Sequence, residues 1–426
     1  MSSSGLLLAY RLATGALEPF APPLLRARAR RGKEDANRLA ERLGRASLVR
    51  PVGTLVWLHG VSVGESLSLL PLAQALRSAR PDIGLLVTSS TRASAALLAQ
   101  RLPAGATHQY APVDGPRAVG RFLDHWRPDL AVFVESELWP NLLIQARQRG
   151  VKTALLSAKL SDASARAWSW APDAARSLLG GFDLLLAQDQ RAAERLAKFG
   201  VRADGVADLK FGAEPLPVDA SSLEAVRAKL AGRRMILAAS THPGEDEILL
   251  ARFGSALETP EIAAGEPLLV IVPRHPERGP AVAALAREQG FSTGLQSAGE
   301  AVDRRQVHVA DVLGELGLWY RLARLAIIGG SLREGLAGHN PLEPARLRCP
   351  FISGRHVYNW TTVYAELERA EATHCLANEL ELDAHIRAAV EGDDRLAVMA
   401  ERAWAYVDRR DAEARAVPAQ ILKLLP

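Results

Sequence analysis

The chain is poor in cysteine. Cys349 and Cys375 are the only two in 426 residues, too few for a disulfide framework and in no CxxC or Cys/His zinc spacing. That usage fits a reducing compartment. No D-x-D triplet occurs, which argues against a nucleotide held through a divalent ion on paired aspartates. Aromatics are sparse at 5%, and none interleave the basic run Arg26, Arg28, Arg30, Arg31 and Lys33, so single-stranded nucleic acid is not the partner this run suggests. A clean transmembrane run is lacking too. Leu6 to Leu25 is apolar but carries Arg11, Glu18, Pro19, Pro22 and Pro23, whereas a span wants about 20 mostly uncharged residues. The pattern is not that of a cleaved signal peptide either. Two readings remain level: an amphipathic segment lying in a membrane interface, its arginines meeting anionic head groups, or an N-terminal helix docked on the protein's own core. The basic run favours a cytoplasmic location for the residues beyond it. Internal repeats and low-complexity blocks are absent.

At this length one core is not enough, and two domains are expected. The stretch Thr54–Ser66, TLVWLHGVSVGES, sets the pattern. Leu55 to Leu58 is an apolar run suited to a buried parallel strand; it turns through Gly60 and Gly64 and opens a helix from Leu67 to Leu76. Strands follow at Ile83–Thr88, Thr107–Tyr110, Leu130–Val134, Lys152–Leu156 and Leu184–Ala187. Helices alternate with them at Ala93–Leu102, Pro116–Trp126, Leu138–Arg149, Ala163–Leu179 and Gln190–Lys198. Short loops between alternating elements predict a doubly wound parallel sheet. The Pro-rich stretch 211–220 reads as a linker. Beyond it come strands Met235–Ala239, Leu268–Val272 and Leu325–Ile328, with helices Gly244–Leu257, Glu277–Gln289 and Asp311–Leu322. The expected organisation is a membrane-associating segment 1–33, a Rossmann-like domain 34–210, the linker, a second Rossmann-like domain 221–395 facing the first across a cleft, and a helical segment 396–426 crossing back to the first.

Chemistry-bearing residues cluster where strands end, the edge at which open α/β sheets bind ligands. Glu65 follows the first strand; its bland reading is a helix cap favoured by the dipole. Glu135-Ser136-Glu137 ends the fourth. Ser240-Thr241-His242 and Pro273-Arg274-His275 end two strands of the second half. Gly314-Glu315-Leu316 lies on a loop or helix start, and Gly338-His339-Asn340-Pro341-Leu342-Glu343 opens a helix. Backbone N–H groups at such a helix start suit a phosphate, Glu343 suits ribose hydroxyls, and Arg274 suits the same phosphate. The bland readings are an Asn340 N-cap, an Arg274–Glu277 surface pair and structural histidines. His242, His275 and His339 sit on separate loops without ligand spacing, so no metal site is expected. Lys210, in Asp208-Leu209-Lys210-Phe211, reads on its own as a solvated linker lysine.

RGKED (31–35), WLHGVSVGES (57–66), ESELWPN (135–141), DLKF (208–211), STHPGEDE (240–247), PRHPER (273–278), GEL (314–316) and GGSLREGLAGHNPLEPA (329–345) occur in one order. As an ordered set they resemble the 3-deoxy-D-manno-octulosonate (Kdo) transferases of lipopolysaccharide synthesis. The resemblance implies the two-domain GT-B glycosyltransferase fold and inverting, metal-independent transfer of Kdo from CMP-Kdo to a lipid A precursor, of lipid IVA type, at the cytoplasmic face of the inner membrane. It implies no cofactor beyond the donor substrate. It makes Glu65 the general base, gives Glu135 and Lys210 transition-state stabilisation, and gives Pro273, Arg274, Gly314, Glu315, Leu316, Asn340, Pro341, Leu342 and Glu343 the CMP. Ser62, Gly64, Ser240, His242, His339 and Arg31 are further candidates for donor or acceptor contact. Departures from the family pattern are Gly60 for Ala, Ser136 for Thr, Asp208 for Asn, Ala337 for Gly, the run Thr88-Ser89-Ser90-Thr91, and Arg355 and Trp360 for Pro and Phe. The alternatives are another GT-B enzyme, a UDP-sugar transferase or epimerase, and a membrane-surface scaffold without activity.

Overall fold

Fully buried apolar runs set the architecture. In a computed structural model describing residues 5–426, β1 (Leu55–His59) and β4 (Leu130–Val134) have every residue buried, as strands covered by helices on both faces must. With β2 (Gly84–Ser89), β3 (Ala106–Tyr110), β5 (Lys152–Ala158), β6 (Leu184–Ala187) and β7 (Gly205–Val206) they form a parallel sheet in the order β3-β2-β1-β4-β5-β6-β7. In its core Trp57 packs at a tilt on Phe122 and edge-on to Phe133, ring centroids 4.8 and 5.4 Å away. A second parallel sheet contains β8 (Met235–Thr241), β9 (Leu268–Pro273), β10 (Thr293–Leu295), β11 (Val307–Val309), β12 (Leu325–Ile328), β13 (Phe351–Gly354) and β14 (His374–Leu376), in the order β10-β11-β9-β8-β12-β13-β14. The chain divides into two units, residues up to Ala213 with Arg410–Pro426, and Glu214–Arg409.

Strand order reverses once in each sheet. β1 pairs with both β2 and β4, and β8 pairs with both β9 and β12. At such a switch point the flanking loops run to opposite faces and leave room at the carboxyl edge. Glu65 follows β1, Glu135 follows β4, His242 follows β8, and the Gly329-to-His339 loop follows β12.

Five strands go beyond the sequence reading: β7, β10, β11, β13 and β14 are two to four residues long. Pro172 splits the expected helix 163–179 into Asp162–Trp168 and Pro172–Leu179. The expected helix 311–322 covers only Leu316–Leu322, because Gly314 turns the chain at φ 89°. The helix expected near Pro341 is five residues, Leu342–Arg346. At the C-terminus, helix Val417–Leu422 packs Val417 and Ile421 against Leu69, Leu72 and Leu76 of helix Val63–Ala79, so the last turns of the chain brace the helix that carries Glu65.

The N-terminal helices, Gly5–Leu17 and Ala21–Arg30, dock on the first unit. Tyr10 Oη donates to Asp114 at 3.0 Å, and Asn141 Nδ2 donates to Thr14 Oγ1 at 2.9 Å. Buried Glu18 accepts the N–H groups of Arg117 and Ala118 at 2.9 and 2.6 Å, capping helix Pro116–Trp126 from a distant part of the chain. Glu18→Ala strands both N–H groups. It should cost about 1–2 kcal/mol by denaturant titration and speed proteolysis between residues 20 and 35. An unchanged midpoint would show the cap to be idle.

Candidate functional site

The turn after β1 is held by a capping box. Ser62 Oγ accepts Glu65 N–H at 3.3 Å, while the Glu65 carboxylate accepts Val61 N–H at 2.6 Å on Oε2 and Ser62 Oγ–H at 2.7 Å on Oε1. The bland and the chemical readings of Glu65 therefore coexist. The cap fixes the carboxylate, and each oxygen retains a further lone pair. Gly64 lies in the same first turn, with open space where a side chain would stand except for Ser62 Oγ at 3.9 Å.

Glu135 occupies the left-handed region at φ 57°, unusual for a non-glycine residue and a form of backbone strain that clusters at functional sites. Burial raises its pKa above its ordinary value; the charges of Lys210 and Lys159 oppose this, and those of Glu65 and Asp208 add to it. These groups thus share one electrostatic neighbourhood at the β1/β4 switch point. Lys210 is set there by Asp208, which accepts Lys210 N–H at 3.0 Å and Gln188 Nε2–H at 2.9 Å. It belongs to a folded turn of the first unit rather than a solvated linker. Lys159 was not singled out from sequence; its signal is only that it follows the apolar run of β5. Arg31 stands apart, exposed at the end of helix Ala21–Arg30.

In the second unit the fully buried Glu245 ties the two switch-point loops together. It accepts His242 N–H at 3.0 Å and the N–H groups of Gly330, Ser331 and Leu332 at 2.8–2.9 Å. An internal carboxylate therefore fills the nest that the Gly-rich loop forms, which leaves phosphate to other donors. Ser240 sits just before, at φ 59°. His242 and His339 lie Nε2 to Nε2 at 2.8 Å with rings 12° from parallel, so one donates and the other accepts. Burial, and then the charge of His242, pushes His339 down to about 4; burial lowers His242 as well.

Arg274 follows β9 with its N–H on Thr241 O at 2.9 Å, and its side chain is exposed. Its charge reaches His242, His339 and Glu343. Glu277 faces His275 Nδ1 at 3.8 Å, not Arg274. Preceding it, Pro273 closes β9 and is buried. Asn340 stands one residue before the N-cap position, which Pro341 takes: its Oδ1 accepts Leu342 N–H at 3.0 Å, and its Nδ2 donates to Glu343 Oε1 at 3.2 Å. Pro341 and Leu342 are buried beneath it. Burial raises the Glu343 pKa. Glu315 stands at the start of helix Leu316–Leu322 and accepts from Gln296 Nε2, while Tyr320 of that helix feels the charge of Glu343. The helix that Gly314, Glu315 and Leu316 begin thereby runs past Glu343 at Tyr320. Ala337, where the resembled family has glycine, sits at φ 68°, which accounts for glycine as the usual residue.

Among the described residues no group of three or more His, Cys, Asp or Glu is placed to hold a metal ion. A cavity of about 730 Å³ lies elsewhere, lined by Arg127, Asp129, Arg149, Lys152 and Leu425. Lys152 begins β5, so this cavity lies toward the amino edge of the first sheet and away from the clustered carboxylates.

Comparison with known proteins bears on these clusters. Residues 37–213 match the family described as 3-deoxy-D-manno-octulosonic-acid transferase (kdotransferase). The 3-deoxy-D-manno-octulosonic acid transferase of Bordetella pertussis is 36% identical over 360 residues, covering 82% of this chain and 83% of that one. That of Haemophilus influenzae is 32% identical over 339 residues, 78% of each. In fold alone, the chain resembles a glycosyltransferase from Rickettsia africae, with a TM-score of 0.52, 12% identity, and coverage of 88% of this chain and 100% of that one.

A pH test follows from the histidine pair. In the unfolded chain a histidine titrates near 6.5, whereas folded His339 does so near 4. Between those values the unfolded state binds the extra proton, so stability is full above pH 6.5 and falls as pH drops toward 4. His108 and His308, also pushed down to about 4 by burial, add loss of the same sign. Urea midpoints of His339→Gln should fall less steeply over this window than those of the wild type; parallel curves would contradict it.

Proposed function

The chain belongs to the 3-deoxy-D-manno-octulosonic acid transferase family, and on that footing we propose that it moves Kdo from CMP-Kdo to a lipid A precursor of lipid IVA type in lipopolysaccharide synthesis. The observation that carries the reading is the crowding of one charged cluster at each switch point. Glu65, Glu135 and Lys210 gather in the first unit, and Arg274, His339 and Glu343 in the second.

A sugar hydroxyl is a poor nucleophile at neutral pH. Glu65, held by its cap, takes the hydroxyl proton as the oxygen attacks the anomeric carbon of the donor. CMP departs from the opposite face with the bonding electron pair, and the anomeric centre inverts. A positioned base supplies about 10²–10⁴-fold of rate. The leaving phosphate gathers negative charge, which the Arg274 guanidinium meets, while Lys210 stabilises charge beside Glu135. Glu343 accepts from ribose hydroxyls, and Glu315 begins the turn against which the cytosine lies. No cofactor enters this scheme.

The acceptor is a lipid, and the N-terminal helices suit a bilayer surface. Leu7, Tyr10, Thr14 and Glu18 face the protein, while Leu6, Leu8, Leu12, Leu17, Phe20 and Leu24 are each more than half exposed. The buried face matches the docked reading of the segment, and the exposed apolar row supports the interfacial one. Helix Gly5–Leu17 has 13 residues, about 20 Å, and no helix among the described residues is long and apolar enough to cross a membrane. The exposed row followed by Arg26, Arg30, Arg31 and Lys33 fits an interfacial helix pair on anionic lipid, at the cytoplasmic face of the inner membrane.

Incubation with CMP-Kdo and a lipid A precursor should give a lipid heavier by Kdo, read by mass spectrometry; donor turnover with UDP-sugars alone would overturn the assignment. Glu65→Gln should lower transfer by about 10²-fold or more while calorimetry shows CMP binding kept, and Arg274→Ala should weaken CMP binding. Near-normal turnover of Glu65→Gln removes it from the base role. The double substitution Leu12→Glu with Phe20→Glu should abolish flotation with phosphatidylglycerol vesicles. Unaltered flotation would contradict the interfacial helices.

A further inference from the structure

We propose that His59 is a positioning residue whose Nε2–H holds Glu137 and thereby sets the loop that carries Glu135. The proposal rests on the reading that Glu135 acts at the reacting centre.

His59 ends β1 and is 1% exposed. Its ring lies edge-on to Phe133 with centroids 5.7 Å apart. On one side, Trp57 Nε1–H donates to Thr88 Oγ1 at 2.8 Å, and the same oxygen is 2.8 Å from His59 Nδ1. An indole nitrogen can only donate. The relay closes when the Thr88 hydroxyl, having accepted from Trp57, donates its own proton to Nδ1. The imidazole proton then resides on Nε2.

That Nε2 is buried and has no hydrogen-bond partner. Buried donors are nearly always paired, so an orphan facing a functional loop calls for an explanation. Glu137 Oε2 is 3.8 Å away, too far for a hydrogen bond but needing a shift of only about 1 Å to make one. The same oxygen already accepts Trp139 Nε1–H at 2.5 Å, so Glu137 moves with its loop. Asp114, whose charge also interacts with His59, is taken up by Tyr10 and by the N–H groups of Asn141 and Leu142. Glu137 is therefore the acceptor within reach. It lies two residues beyond Glu135, whose left-handed backbone aims the carboxylate. When acceptor sugar seats against the loop, Glu137 closes on His59 and Glu135 is fixed.

Two variants separate this role from a structural one. Asparagine places its amide near Nδ1 and can keep the Thr88 bond; glutamine places its amide near Nε2 and can keep the Glu137 bond. His59→Asn should lower kcat for Kdo transfer about tenfold with KM for CMP-Kdo unchanged, and His59→Gln should recover most of the loss. Glu137→Ala should match His59→Asn, and the double variant should be no worse than either. If Gln is the damaging change and Asn the benign one, the Thr88 bond matters and the proposal is overturned. Losses at His59 and Glu137 that multiply in the double variant would overturn it equally. Absence of Kdo transfer by the wild type would instead sink the proposed function itself.

Discussion

One geometric constraint governs the molecule: parallel strands deliver all their carboxyl ends to the same edge of a sheet. Where strand order reverses, two such ends lie side by side with their loops diverging, and the edge opens. The chain makes this arrangement twice, at β1/β4 and β8/β12. Residues 70 positions apart (Glu65 and Glu135) and 97 apart (His242 and His339) become neighbours there without any local sequence signal.

Holding charges at those edges needs rigid backbone, and buried carboxylates supply much of it. Glu65 closes its own helix, Glu18 caps a helix nearly 100 residues away, and Glu245 locks the Gly-rich loop to the turn after β8. Each satisfies N–H groups that would otherwise be stranded out of water. The same burial moves proton affinities: Glu135 and Glu343 rise, and the paired histidines fall. The first cluster is acidic with lysine beside it, suited to taking a proton. The second is neutral imidazole, arginine and a half-buried glutamate, suited to holding a nucleotide.

The long strands were legible because runs such as Leu-Val-Trp-Leu and Leu-Ala-Val-Phe-Val leave no other buried structure of that length. The short ones were not. Val-His-Val, His-Cys-Leu and Thr-Gly-Leu are three residues each and owe their extended form to a neighbour already in the sheet. The helix after β1 was legible but its start was not: Leu67 was expected and Ser62 caps it at Val63, while Gly314 at positive φ cut an expected helix that hydrophobic period alone would extend. Site residues could be found as charges and glycines just beyond apolar runs. Their partners could not: Lys159 beside Glu135, Glu245 beneath the glycine loop and the orphan nitrogen of His59 depend on contacts between distant segments. The N-terminal segment shows the same limit. Its apolar character was plain, but which leucines face the protein and which face outward required the fold.

The central claim, that the carboxyl edge of the second sheet is a nucleotide seat, is tested most directly by a crystal structure with CMP. The account predicts the phosphate within hydrogen-bond reach of Arg274 and the ribose hydroxyls against Glu343. CMP lodged elsewhere with that edge empty, for instance in the cavity between Arg149 and Leu425, would contradict it.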